Sequence, residues 1–228
     1  MVTPFPKDSS QDALAALRDR LDVVDARIHK LLRERFEIVS EIGAAKGPDE
    51  SVIRPARESA VIENRLSLHT GPLPRDVLVH FWRVLIGAAC LVQRPYRVHV
   101  AGPIDVARYL YGPIPMTLSD PLDAIAALEA APGDLAIIDG MTNVRWWSGR
   151  GAAHVIGRFP QSDGGSAIVV GGPGVSPGTG PLALVVRGDA DPIEISASDI
   201  EAEDEILGRY HPFPFAIPVA QSSTSSPL

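Results

Sequence analysis

The chain has one cysteine, Cys90, among 228 residues, so it cannot form an internal disulfide. Its Cys and His residues fall nowhere at metal-ligand spacing, and a structural metal is not expected. No apolar run approaches the roughly 18 residues of a membrane span. Residues 1–11 have no apolar signal core, and they are expected to form a disordered lead-in. The Gly/Pro stretch from Gly171 to Pro181 has neither the Lys-Ser/Thr of a phosphate loop nor the spacing of a dinucleotide turn. It is expected to be a bland turn or flexible connection, and no cofactor is expected anywhere in the chain. A cationic surplus is also missing. The net charge is −7, with 14 Lys+Arg against 13 Asp+Glu in residues 1–95 and 7 against 15 thereafter. Nucleic acid, which needs cations gathered on one face, is not expected as a partner by this count. The chain reads as a cytoplasmic protein that touches neither nucleic acid nor membrane.

What is present begins with a long periodic segment. Leu14, Leu17, Leu21, Val24, Ile28, Leu31, Ile38, Ile42 and Ala45 alternate at spacings of three and four, which is a heptad seam. A helix over residues 12–46 spans roughly 50 Å at 1.5 Å per residue, longer than a compact 90-residue unit is wide. Two shorter helices cannot cover such a seam, so dimerisation is expected. Ser9 or Ser10 can cap the helix, and Gly47-Pro48 should end it. The seam position between Leu31 and Ile38 holds Arg35. A guanidinium on an apolar stripe needs an anion, from the fold or from a ligand. Lys46 lies 11 residues on, within about 20° of the same helix face.

A second helix is expected from Pro55, with Val61, Ile62 and Leu66 as its apolar stripe and Arg57-Glu58 in its first turn. A third opens near Pro74 and closes at Arg94-Pro95, with Val77, Leu78, Phe81, Trp82, Leu85, Ile86 and Val92 on its buried side. Ala89 and Gln93 stand one turn apart near its end. From residue 96 the pattern changes to short strands and helices: strands at Arg97 to Ala101, Asp134 to Ile138, His154 to Phe159, Ala167 to Gly171 and Leu182 to Val186, and helices at Asp105 to Tyr111 and Pro121 to Ala130. The fold class is therefore multi-domain, an all-α three-helix part at 12–95 followed by a small α/β domain at 96–220, with a disordered tail at 221–228. Trp146-Trp147 is read as core, and Asp199 to Glu205 as a solvated acidic face.

Leu14-x-x-Leu17-Arg18-x-x-Leu21-Asp22-x-x-Asp25-x-x-Ile28-x-x-Leu31-Leu32-x-Glu34-Arg35-Phe36 and Ile42-Gly43-x-x-Lys46 together resemble the first helix of the all-helical class of chorismate mutases. Pro55-x-Arg57-Glu58 and Gln93 are similar to that family's second helix and last active-site position. The resemblance implies an intertwined homodimer that rearranges chorismate to prephenate in phenylalanine and tyrosine biosynthesis. It implies that Arg18 reaches into the partner's site, that Arg35, Arg57 and Lys46 bind two carboxylates, that Glu58 holds the substrate hydroxyl and that Gln93 donates to the ether oxygen. Arg35, Lys46, Glu58 and Gln93 would then be catalytic. Ala89 stands where the family usually has Ser, and Arg54 where it often has Asp. The same helical frame is compatible with an isochorismate pyruvate-lyase or with a non-catalytic sensor of the same metabolites. Arg97-Val-His-Val-Ala-Gly-Pro103, with Ala124 to Ile138, faintly resembles the opening of a prephenate dehydratase domain, but the Thr-Arg-Phe motif is missing and Gly157-Arg158-Phe159 is the nearest string. The second domain is thus expected to be a degenerate, non-catalytic relative.

Overall fold

The computed structural model describes residues 9–112 and 114–219, and the expected tail at 221–228 and most of the lead-in lie outside these. Two compact units are present, 1–45 and 46–228. The first consists of helix α1, Ser9–Ala45, 37 residues long and so about 55 Å. It begins inside the expected lead-in, at residue 9. The seam residues are exposed in the monomer, Leu17 at 56% and Leu31 at 63%.

The second unit opens with α2 (Pro55–Leu68) and α3 (Arg75–Gln93). Pro55 occupies the first turn of α2, where a missing N–H is harmless, and Pro74 caps α3. Then follow β1 (Val98–Ala101), α4 (Ile104–Tyr111), β2 (Met116–Leu118), α5 (Pro121–Ala130), β3 (Leu135–Asp139), β4 (His154–Pro160), β5 (Ser166–Gly171), β6 (Leu182–Val186), β7 (Ile193–Ser196) and β8 (Glu205–Tyr210). Five strands form one sheet in the order β2-β1-β3-β5-β4, in which β1 runs parallel to both neighbours and β5 antiparallel to both of its own. The continuous apolar run of β5 is buried along its whole length, as a strand covered on both faces must be. Strands β7-β6-β8 make a small antiparallel sheet. Strand β8 packs directly on β4, and a Cβ at Gly208 would collide with the Val155 carbonyl.

The all-α to α/β order is as the sequence implies. The packing, however, does not divide at 95/96. Ile62 and Leu66 of α2 and Val79, Ile86 and Cys90 of α3 share one core with Val98, Val106, Leu110, Leu135 and Val169 of the α/β region. A second core on the other side of the large sheet takes Trp146 and Trp147, 1% and 3% exposed, edge to face at 5.9 Å. The Gly171–Pro181 loop is tied down, which corrects its reading as a flexible connection. Gly172 N–H donates to Asp134 O at 3.0 Å, and Ser176 N–H to Ile53 O at 3.1 Å. The acidic stretch is also not simply solvated, since Arg187 pairs with Asp204 at 2.8 Å and Glu201 at 3.4 Å. One composition reading needs correcting as well. α3 is long and apolar enough to cross a membrane by length and mean hydropathy alone. Its Val79, Ile86 and Cys90 belong to a protein core and its central Arg83 pairs with Glu58, whereas Val77, Phe81 and Val92 of its expected buried side are exposed.

Candidate active site

The six sequence-predicted residues fall on both units. Arg18 and Arg35 lie on α1. Arg18 is exposed, whereas Arg35 is half-buried with its guanidinium 5.5 Å from the Phe36 ring centre. An aromatic face is thus one of the contacts of this cation.

Lys46, Arg57, Glu58 and Gln93 belong to the second unit. Helix α1 ends at Ala45, one residue short of Lys46, so the shared-face argument linking Lys46 to Arg35 does not carry through. Lys46 Nζ donates instead to Ser51 O at 2.9 Å. Ser51 Oγ donates to Ile53 O at 2.7 Å and accepts from Ser176 N–H at 3.0 Å, and Arg94 reaches back to Gly47 O at 3.2 Å. The Lys46–Ile53 loop is thus pinned to the end of α3 and to the Gly/Pro loop. Arg57 is exposed in the first turn of α2, beside Glu58.

Glu58 is the buried member. It stands one and two turns before Ile62 and Leu66, so the helix periodicity turns it onto the buried face. Its carboxylate lies 3.5 Å from Arg83 Nη1, and the two side chains are 15% and 14% exposed. Burial pushes the Glu58 pKa up, and the attraction of Arg83 and a backbone hydrogen bond at Arg54 oppose that without cancelling it. Tyr96 and Tyr111 stand over the same small cavity with Gly87, Cys90 and Leu110. Tyr96 OH donates to Gly87 O at 3.3 Å, and both phenols are pushed upward by burial and stay neutral. The cavity holds about 10 Å³, room for one water at most. In this conformation Glu58 is closed off from any organic ligand.

Gln93 donates from Nε2 to Ala89 O at 3.1 Å, one turn back, while its buried Oε1 has no partner among the described residues. An unmet buried acceptor costs about 1–3 kcal/mol, so this amide is held in a half-satisfied state. Ala89 is itself buried, and Arg54 precedes α2 without a side-chain cap. Sequence reasoning missed Arg83, Tyr96 and Tyr111. Arg83 had a signal: it interrupts the stripe Val79-Ile86-Cys90 just as Arg35 interrupts its seam. The Gly157-Arg158-Phe159 string lies on β4, where Arg158 donates to Ser166 Oγ at 3.2 Å and pairs with Glu194 at 3.5 Å. Among the described residues no cluster of His, Cys, Asp and Glu could hold a metal ion.

Comparison with known proteins finds a family likeness for the helical part of the chain. The chorismate mutase type II model matches residues 17–94. Relatives named bifunctional chorismate mutase/prephenate dehydratase are 36% identical over 86 residues in Neisseria gonorrhoeae, 33% over 101 residues in Stutzerimonas stutzeri and 32% over 97 residues in Aquifex aeolicus. These alignments take in 38%, 42% and 40% of this chain, and the chain spans only 24%, 28% and 27% of those relatives' length. No solved structure matches. The helical segment at residues 17–94, comprising most of α1 and all of α2 and α3, is similar to the chorismate mutase type II family.

Proposed function

We propose that the chain is a chorismate mutase, an isomerase that converts chorismate to prephenate, and that it works as a cytoplasmic homodimer. One observation carries the reading: the matched span 17–94 contains all six residues of the candidate site, from Arg18 to Gln93. The chemistry suits them. A pericyclic rearrangement transfers no proton and needs no nucleophile. It needs a flexible dianion held in its reactive conformer and donors at the ether oxygen, where charge grows as the C–O bond breaks. Arg35, Arg57 and Lys46 supply cations for the carboxylates, with Lys46 and Gln93 directed at the ether oxygen. Arg18 enters from the partner subunit in this scheme. A rate gain of about 10⁶ corresponds to roughly 8 kcal/mol, within reach of a few charge-assisted hydrogen bonds that tighten in the transition state.

Three of the assigned side chains are engaged or closed in by their surroundings in this conformation. Lys46 and Gln93 each give one of their N–H donors to a backbone carbonyl, an exchange that a charged ligand can reverse at modest cost. Glu58 must become accessible before it can accept from a substrate hydroxyl, because its cavity is too small for an organic ligand. The dimer is supported by the exposed seam of α1, whose apolar residues have a heptad spacing suited to a second helix. The α/β region is given no dehydratase role, since Arg158 is engaged in holding β4, β5 and β7. The isochorismate-lyase and sensor readings gain nothing from the comparisons.

The test is direct. Purified full-length protein is given chorismate, and prephenate is followed by chorismate absorbance and by acid conversion to phenylpyruvate. Turnover is expected, and it should be lost in Arg35→Ala. No consumption of chorismate, or consumption that survives that substitution, would overturn the reading.

A further inference from the structure

Arg83 is a poorly satisfied buried cation. Its contact with Glu58 is 3.5 Å, well beyond the roughly 2.7–2.9 Å of a charge-assisted hydrogen bond. Its Nε is buried without a partner among the described residues. The guanidinium otherwise lies 5.5 Å from the Phe159 ring centre and 5.6 Å from that of Phe213. A guanidinium has five N–H donors, and buried ones left unmet are costly, so this arrangement has donor capacity to spare for an anion.

Arg83 also fronts a second cavity, of about 240 Å³, on the far side of α2 from solvent-exposed Arg57. Ile62 and Leu66 form one wall, and the Pro212-Phe213-Pro214 segment forms the other. The lining is mostly apolar. Ser59 and Glu63 are its other polar members, and Glu63 is 61% exposed and engaged with His211 at 3.3 Å. An engineered apolar cavity of about 150 Å³ accepts benzene, so this volume suits one ring with a short chain. An apolar pocket with one convergent cation is the arrangement that selects an amphipathic acid.

We propose that this cavity binds a small carboxylate carrying a single-ring apolar body, with Arg83 as its anchor. Because Arg83 fronts both this cavity and the Glu58 cavity, the ligand carboxylate competes with Glu58 for it. The two sites are thereby coupled, and the coupling is reciprocal. The binding claim itself needs no assumption about catalysis, and its test contains no chorismate.

The test is calorimetric titration of the full chain with 3-phenylpropionate and with 3-phenylpropan-1-ol, which has the same ring and chain but no charge. The acid should bind at least about tenfold tighter than the alcohol, the contribution of a charge-assisted contact. Arg83→Met should erase that preference, and Glu58→Gln, which removes the competing carboxylate, should strengthen acid binding severalfold. Ser59→Trp fills the mouth without touching the charge pair and should abolish binding of both compounds, so the assignment stays testable if Arg83→Met fails to fold. Equal affinity for acid and alcohol, no binding of either, unchanged acid binding in Glu58→Gln, or acid binding that survives Ser59→Trp would each overturn the proposal.

Discussion

Replacing Arg83 by methionine isolates the pair at the centre of the second unit. Methionine keeps most of the side-chain length but loses the guanidinium that lies over Phe159 and Phe213, and Glu58 is left beside Tyr96, Tyr111 and Leu110 with no cation. Breaking a buried pair from one side typically costs about 3–5 kcal/mol. At 3.5 Å this pair is loose, so the low end, about 3 kcal/mol, is expected. For a unit of this size that lowers the melting temperature by about 6–12 °C. The pH dependence supplies the sign. Burial raises Glu58 above the ordinary carboxylate value and Arg83 pulls it back, so losing Arg83 raises it further. A carboxyl raised in the folded state contributes stability that is full below its unfolded pKa and is lost as pH rises through the folded one. The deficit of Arg83→Met should therefore be smaller near about pH 5 than near about pH 8. Urea unfolding at both pH values measures it, and adding Glu58→Gln should remove the pH-dependent part. A deficit below about 1 kcal/mol and equal at both pH values would refute the reasoning.

Other substitutions address the remaining assignments. Arg35→Leu completes the heptad stripe of α1, so the dimer measured by sedimentation should be as stable or more stable while chorismate turnover disappears. Trp146→Ala opens a large void in a core where the ring is 1% exposed, and should cost about 3–5 kcal/mol in denaturant unfolding. A fragment ending at Arg94 strips the shared core from α2 and α3 and should bind a hydrophobic dye and lose cooperative unfolding, whereas an independently folding helical domain would melt sharply.

The sequence made α2, α3 and the buried strands legible because each carries a long or strongly apolar pattern. It hid β2, β7 and β8 for different reasons. Met116–Leu118 is three residues, too short to show alternation, and Ile193–Ser196 is almost wholly exposed. Glu205–Tyr210 mixes charge and glycine, yet the glycine is the feature that lets β8 lie against β4. A change of pattern marks 95/96, but pattern reports local structure and not what covers an apolar face. The stripes of α2 and α3 look alike whether a helix or a sheet covers them. Here Leu110, Ile114 and Phe159 do so, from segments that follow by at least 17 residues.

The site shows the same limit in a sharper form. A cation in an apolar stripe is a signal that something anionic or aromatic must meet it, and the chain carries two, Arg35 and Arg83. The first is conspicuous because its stripe is a strict heptad, where one wrong residue stands out. The second sits in a shorter helix with a broad apolar face, where a single Arg looks like an edge residue. Its partner gives the stronger clue. Glu58 is spaced four and eight residues from Ile62 and Leu66, which places an acid on the buried face of α2. A buried acid on one helix and a buried Arg on the next are each too costly alone, so the two anomalies imply one another. The Glu58–Arg83 contact resolves both anomalies at once. It also explains why Arg83, shared between a closed polar cavity and an open apolar one, is where a ligand in the second can act on the first.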